Sequence, residues 1–252
     1  MTETIPSIGG SGVVVLRMVS AEQSGLIALV GSGEFTSQME AVDFHLLEGR
    51  PARAAFLPTA AGEEGETSIR YWLALGDTHY RKIGVEPIPV PVLTKADAND
   101  PELAALISNV GLIYLSGGNP GYVANTLRDS LVWEAIVRAW RNGASLAGCS
   151  AGAGALTTQA ADVRRGVRAN PGLSLVPNLA VIPHYDKMAA WRPQFLTEAQ
   201  AQLAPGVHLI GVDEDTALVG DLETWTVMGR QSVHVLSGQQ RTLAAGDKIS
   251  FD

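Results

Sequence analysis

The sequence predicts an α/β fold: a mostly parallel central sheet flanked by helices, with a C-terminal antiparallel β meander. Three observations lead there. From Gly25 onward, short apolar runs alternate with helical patterns, the order in which strand–helix–strand units build a parallel sheet. After Val219 the helical patterns stop, and short alternating runs separated by Gly-containing turns take over, as antiparallel hairpins require. Finally, 252 residues at 46% hydrophobic content and 17% charged suffice to bury a full core in one domain.

The expected strands are "GLIALVGS" (25–32), "RAAFLPTA" (53–60), "VEPIPVPVL" (85–93), "GLIYLSGG" (111–118), "ASLAGCS" (144–150) and "VHLIGVDE" (207–214). Together they make a six-stranded central sheet. Helices are expected over about 37–48, 67–82, 100–109, 120–141, 151–160 and 191–204. One start is well marked: Asp100 is placed to cap, with Pro101 at the first helical position. The meander covers "WTVMGRQSVHVLSGQQRTLAAGDKISF" (225–251). No repeat and no linker divides the chain, so 25–252 reads as a single α/β domain. Residues 1–24 read as an extension, with three readings open: a disordered arm, an added edge strand, or a start-site extension ahead of Met18.

Net charge is −8 and no Lys/Arg stripe is visible, so the phosphate attraction that nucleic-acid binding relies on is missing. The single cysteine, Cys149, excludes an intramolecular disulfide and a thiolate zinc site, and suits a reducing compartment. The acidic start lacks the basic, then apolar, pattern of a secretory signal, and no run reaches the length needed to cross a bilayer. The expectation is a cytoplasmic protein with no membrane or nucleic-acid partner, and a homodimer on base rates.

The chemistry centres on Gly148-Cys149-Ser150-Ala151-Gly152, a G-x-S-x-G placed where a buried strand ends and a small-residue helix begins. Such a sharp turn needs small neighbours and lifts the serine to the carboxyl end of the sheet. The helix N-terminus that follows favours developing negative charge. A plainer reading makes Ser150 a helix N-cap. Cys149 competes as nucleophile, but in its register Ala147 and Ala151 replace the flanking glycines, so it reads as a buried small apolar residue. A serine nucleophile needs a base. His45 and His79 lie in helical patterns, whereas His184 in "LAVIPHYDK" follows a strand and a proline, where a chain leaves a sheet. The orienting acid is Glu214, Asp213 or Asp162. Asp213 and Glu214 point to opposite faces if their strand persists, so at most one of them serves. "YLSGGNPG" (114–121) supplies Gly117 and Gly118 for a close backbone approach to an oxyanion. No G-K-[ST] supports a phosphate loop, and "GSGEFT" (31–36) lacks the third glycine of a dinucleotide fingerprint.

Taken in order, "ALVGSGEF", "LSGGNP", "GCSAGA", "IPHY" and "GVDEDTAL" resemble the cyanophycinase and dipeptidase E family of serine peptidases over about residues 25–238. The resemblance implies a flavodoxin-like fold shared with class I glutamine amidotransferases. It implies Ser150 as nucleophile, His184 as base, and the Gly118 and Ala151 amides as oxyanion donors. Glu214 is the implied acid, with Asp162 as the alternative from a dipeptidase E alignment. No metal or organic cofactor is implied, and the substrate is a small peptide. The chain departs from cyanophycinases where Asn119 and Pro120 replace the glutamine after the paired glycines. Beyond the histidine it offers only Lys187 and Arg192. "PHY" is closer to dipeptidase E, whose members favour an amino-terminal aspartate. Asn119, Tyr185 and Lys187 are the candidate substrate contacts, and the basic loop "DVRRGVR" (162–168) is a further one. Two rival readings remain open here: an α/β-hydrolase esterase using Ser150, Asp213 and His234, and a non-catalytic binding protein that keeps the pocket.

Overall fold

The computed structural model describes residues 24–162, 168–191 and 194–251. Residues 1–23 of the 1–24 extension, most of the basic loop 162–168, and Arg192 lie outside the described residues. In chain order the elements are β1 (Ile27–Val30), α1 (Glu40–Leu47), β2 (Arg53–Leu57), α2 (Glu66–Lys82), β3 (Glu86–Pro89), α3 (Lys95–Ala98), α4 (Pro101–Ala105), β4 (Leu112–Leu115), α5 (Pro120–Leu127), α6 (Leu131–Arg141), β5 (Ser145–Cys149) and α7 (Ala151–Leu156). They continue with β6 (Thr157–Asp162), β7 (Arg168–Pro171), β8 (Val176–Ile182), α8 (Tyr185–Trp191), α9 (Gln194–Ala201), β9 (His208–Val212), β10 (Thr216–Gly220), β11 (Trp225–Gly229), β12 (Val233–Val235), β13 (Arg241–Leu243) and β14 (Lys248–Ile249).

The central sheet runs β14-β11-β10-β1-β5-β4-β2-β3. Strands β1, β5, β4, β2 and β3 are parallel, and β10, β11 and β14 add an antiparallel flank. Period-two alternation divides the parallel strands between two cores. Ile27, Leu29, Ala55, Leu57, Ile113, Leu115 and Leu146 enter one core; Ala28, Val30, Ala54, Phe56, Leu112, Tyr114, Ala147 and Cys149 enter the other. Helices cover both faces, which is why these strands read as continuous apolar runs.

Helix starts follow local capping chemistry. The Asp100 carboxylate accepts from the Glu102 N–H at 2.8 Å, with Pro101 opening α4. Thr94 and Asp97 form a capping box on α3. The expected helix over 120–141 is two helices: Asp129 turns the chain at φ 50°, and Ser130 caps α6 by accepting from the Trp133 N–H. The expected helix over 151–160 stops at Leu156, where buried Thr157 donates its hydroxyl to Gly154 O and the chain enters β6.

The main departure from expectation is a second sheet, β13-β12-β9-β8-β6-β7. The strand expected over 207–214 forms as β9, but it pairs with β8 and β12 and stays out of the central sheet. β10 instead lies antiparallel against β1, with Ile27 opposite Gly220. The chain passes from one sheet to the other through Asp213-Glu214-Asp215. At that seam a Cβ on Gly31, just past β1, would lie 2.1 Å from Asp213 O. Only a glycine admits so close a crossing.

Candidate active site

Ser150 follows β5 in the middle of the central sheet, and its backbone takes φ 50°, ψ −106°. A non-glycine residue in that region is strained. The bend brings α7 back against its own strand, so a Cβ on Gly148 would lie 2.5 Å from Gly152 C and O, and one on Gly152 would lie 2.3 Å from Leu115 O. The small residues around Ser150 are therefore required by close backbone approach. Ser150 stands at the N-cap position of α7, yet its side chain makes no capping hydrogen bond; the hydroxyl is turned to a histidine.

That histidine is His184. It comes off the carboxyl end of β8 through Pro183 and, like Ser150, is held at positive φ (50°). Its Nε2 lies 3.0 Å from Ser150 Oγ, and its Nδ1 lies 3.1 Å from Glu214 Oε1. With the ring proton on Nδ1, Nδ1–H donates to the carboxylate and Nε2 accepts from the serine hydroxyl. Parallel pairing explains the meeting. β8 and β9 are adjacent, with Ile182 opposite Gly211, so both chains leave the sheet at the same edge. Imidazole and carboxylate are each about one-third exposed, at 33% and 34%, so the pair is open to a ligand from solvent.

β9 ends at Val212, so strand alternation does not extend to the neighbouring acids; in the turn that follows, each finds a different partner. Asp213 is turned away, accepting from His234 Nε2 at 3.1 Å and from the Ser232 N–H. His234 Nδ1 is 3.1 Å from Thr242 Oγ1, so His234 and Asp213 pair with each other and it is His184 that reaches Ser150. Asp162 closes β6 with its backbone paired to Arg168; its side chain lies outside the described residues.

The glycine pair after β4 packs beside the serine turn. A Cβ on Gly117 would lie 3.5 Å from Ser150 Cβ, and the Gly117 N–H is donated to Glu34 Oε1 at 3.0 Å. Gly118, at φ 144°, has no room for a Cβ, which would lie 2.3 Å from Ala60 O. Its N–H has no acceptor among the described residues. Ala151 opens α7, where the first N–H groups of a helix lack intrahelical acceptors. A hydroxyl, an imidazole, a carboxylate and donor amides so arranged can activate a nucleophile and receive the charge it creates.

The candidate substrate contacts are already engaged within the protein. Asn119 Oδ1 accepts from the Tyr122 N–H, capping α5, while its Nδ2 donates to Glu63 at 3.1 Å. The Tyr185 ring packs on Gly211 of β9 and against His234, with centroids 4.6 Å apart; burial pushes its phenol pKa up. Lys187 Nζ lies 3.5 Å from Asp186 Oδ2 and 3.9 Å from Glu214 Oε2. Cys149 is fully buried. Burial first, and then the adjacent Glu34 carboxylate, push its thiol well above its ordinary pKa, so the thiolate that nucleophilic attack needs is suppressed.

Sequence reasoning passed over Asp186. Its Oδ1 accepts from the Glu214 N–H at 3.0 Å. Burial raises its pKa, but that hydrogen bond and Lys187 outweigh burial and hold the carboxyl below its ordinary value. The signal was an acid two residues past His184, in the first turn of a helix. It was invisible as a contact because the partner is a backbone group 28 residues away.

The profile of peptidase family S51 matches residues 27–227. A peptidase from an acI-B1 Actinobacterium, known from a crystal structure, is 37% identical with a TM-score of 0.84, covering 92% of this chain and 98% of that one. A putative peptidase E protein from Listeria monocytogenes EGD-e has a TM-score of 0.62 at 17% identity, covering 82% of this chain and 100% of that one; this second likeness is one of fold. No curated protein matches the sequence at a significant level. The family profile runs from β1 through β11 and takes in the serine turn, His184 and Glu214, so the chain belongs to peptidase family S51 and is a serine-type peptidase.

Proposed function

We propose that the protein is a serine exopeptidase that hydrolyses small peptides, aspartyl dipeptides among them, through Ser150, His184 and Glu214. The observation that carries the reading is the continuous hydrogen-bonded path from Ser150 Oγ through the His184 ring to Glu214.

In this reading His184 Nε2 takes the hydroxyl proton as Ser150 Oγ attacks the scissile carbonyl. Glu214 keeps the imidazole in the tautomer that presents a free Nε2, and it stabilises the imidazolium that forms. The Gly118 and Ala151 N–H groups bind the oxyanion of the tetrahedral intermediate. Collapse breaks the C–N bond, with His184 returning the proton to the leaving amine. An acyl-enzyme on Ser150 remains, and a water activated by the same imidazole hydrolyses it. The preference for an amino-terminal aspartate follows from the dipeptidase E resemblance, and the Lys187 ammonium at the rim of the site suits an acidic side chain.

The test is hydrolysis of a dipeptide library by wild type and by Ser150→Ala, His184→Ala and Glu214→Gln, with products followed by mass spectrometry. The expected result is cleavage of Asp-Xaa dipeptides by wild type and loss of cleavage in the variants. Full activity in Ser150→Ala would overturn the triad. Preferential cleavage inside long, amino-terminally blocked peptides would overturn the exopeptidase assignment.

A further inference from the structure

Glu34 belongs to "GSGEF", the stretch after β1 that fits no nucleotide fingerprint, and the residue is only 8% exposed. Burying a carboxylate is costly unless donors satisfy it. Here the donors come from the two segments on which hydrolysis would depend. The Gly117 N–H donates to Oε1 at 3.0 Å, and the Cys149 thiol donates to Oε2 at 2.8 Å. Gly117 directly precedes Gly118, and Cys149 directly precedes Ser150. The two segments lie at the carboxyl ends of adjacent strands, β4 and β5, where a Cβ on Gly117 would lie 3.5 Å from Ser150 Cβ.

We propose that Glu34 is a positioning residue for this site: its carboxylate ties the glycine turn to the serine turn and so sets the separation between the Gly118 amide and Ser150 Oγ. The inference rests on the triad reading above. It assigns the buried acid a part in oxyanion geometry and none in proton transfer, since neither donor to Glu34 is a member of the triad. Oxyanion donors work only when aimed at the oxygen of the tetrahedral state, and a misplacement of about 1 Å can cost on the order of 10²-fold in rate. The Gly117 N–H, spent on Glu34, is removed from competition for that oxygen. The same bond turns the following peptide, where Gly118 takes φ 144°, a conformation open to glycine. The buried cysteine gains a role as well: its thiol is the second anchor of the carboxylate.

The test uses the full-length protein and a fluorophosphonate probe, so it requires no knowledge of the natural substrate. In the labelling step an Oγ–P bond forms as the P–F bond breaks, fluoride leaves, and the hydroxyl proton passes to His184. The phosphoryl oxygen then occupies the place of the oxyanion. The limiting labelling rate, the half-saturating probe concentration and the pH midpoint of the rate are measured for wild type, Glu34→Ala and Glu34→Gln. For Glu34→Ala the proposal expects a limiting rate about 10²-fold lower, with half-saturation and pH midpoint unchanged. Glu34→Gln, whose amide oxygen still accepts from the Gly117 N–H, recovers most of that rate; it decides the question if the alanine variant fails to fold. An unchanged limiting rate in Glu34→Ala overturns the proposal. So does a folded Glu34→Gln that labels at the alanine variant's expected low rate, or a loss accompanied by a moved pH midpoint. Absence of any Ser150-dependent labelling in wild type overturns the triad reading itself, and Glu34's role with it.

Discussion

Replacing Ser150 with glycine should stabilise the protein relative to replacing it with alanine, the reverse of the usual order. Both changes remove the hydroxyl and its hydrogen bond to His184, so the comparison isolates the backbone. At φ 50°, ψ −106° any residue with a Cβ is strained by about 1–3 kcal/mol, and glycine relieves that strain. Against this, glycine gives the unfolded chain extra freedom worth about 0.4–1 kcal/mol. The difference favours glycine by about 1 kcal/mol. For a chain of this size that corresponds to a melting temperature about 2–4 °C higher. Calorimetry on the two variants measures it. Ser68, inside α2, provides the control, because in a regular helix the alanine variant should be the more stable by up to about 1 kcal/mol. If Ser150→Ala melts at or above Ser150→Gly while the Ser68 pair behaves normally, Ser150 does not sit on a strained turn, and the account of the small residues around it fails.

Glu214→Gln should lower the peptidase rate by about 10⁴-fold, the scale on which a triad without its orienting carboxylate loses turnover, while Asp162→Asn leaves it unchanged; steady-state kinetics on one dipeptide decides between the two acids. Cys149 should resist alkylation by iodoacetamide in the native protein and react at once in denaturant, because burial and the Glu34 carboxylate raise its pKa; rapid native labelling seen by mass spectrometry would contradict that environment. Asp97 should stabilise the protein at neutral pH and cease to do so in acid. Burial pulls its pKa upward, but the Leu93 and Thr94 N–H groups it accepts from, at 3.0 and 2.8 Å, outweigh burial and hold it below 3.8. A lowered folded pKa gives stability that is present above the unfolded value and lost as pH falls through the folded one. Asp97→Asn should therefore unfold more easily at pH 7, by up to about 1 kcal/mol, and the two denaturation curves should converge below pH 3.8; a constant gap across that range would refute the assignment.

The parallel strands were legible because each is a local apolar run, and the serine turn was legible because its demand for small neighbours is written within five residues, Gly148 to Gly152. His184 could be picked out because it follows an apolar run where a chain leaves a sheet; among the acids the residues left Glu214, Asp213 and Asp162 open, and only the family resemblance favoured Glu214. The second sheet was not legible. A strand's period reveals its two faces but not its neighbours, and whether β9 lies beside β8 or in the central sheet depends on pairings between distant segments. The polar strand "TTQAAD" was masked by the small-residue helix before it, and Ser130 was read as interior to one long helix although it caps a second. Glu34 stands in a stretch that reads as a family motif and as an incomplete nucleotide fingerprint, and nothing local marks its role, since its partners lie 83 and 115 residues along the chain. The same holds for Asn119 and Tyr185: their residue types suggest ligand contacts, while their hydrogen bonds and packing lie within the fold.

The proposed mechanism requires that His184 make Ser150 a nucleophile. Intact mass after exposure to a fluorophosphonate, with wild type, Ser150→Ala and His184→Ala side by side, tests it most directly. A single adduct on wild type, mapped to Ser150, is expected, and none on either variant over the same time. An adduct on another residue, or equal labelling of Ser150 in wild type and His184→Ala, would contradict it.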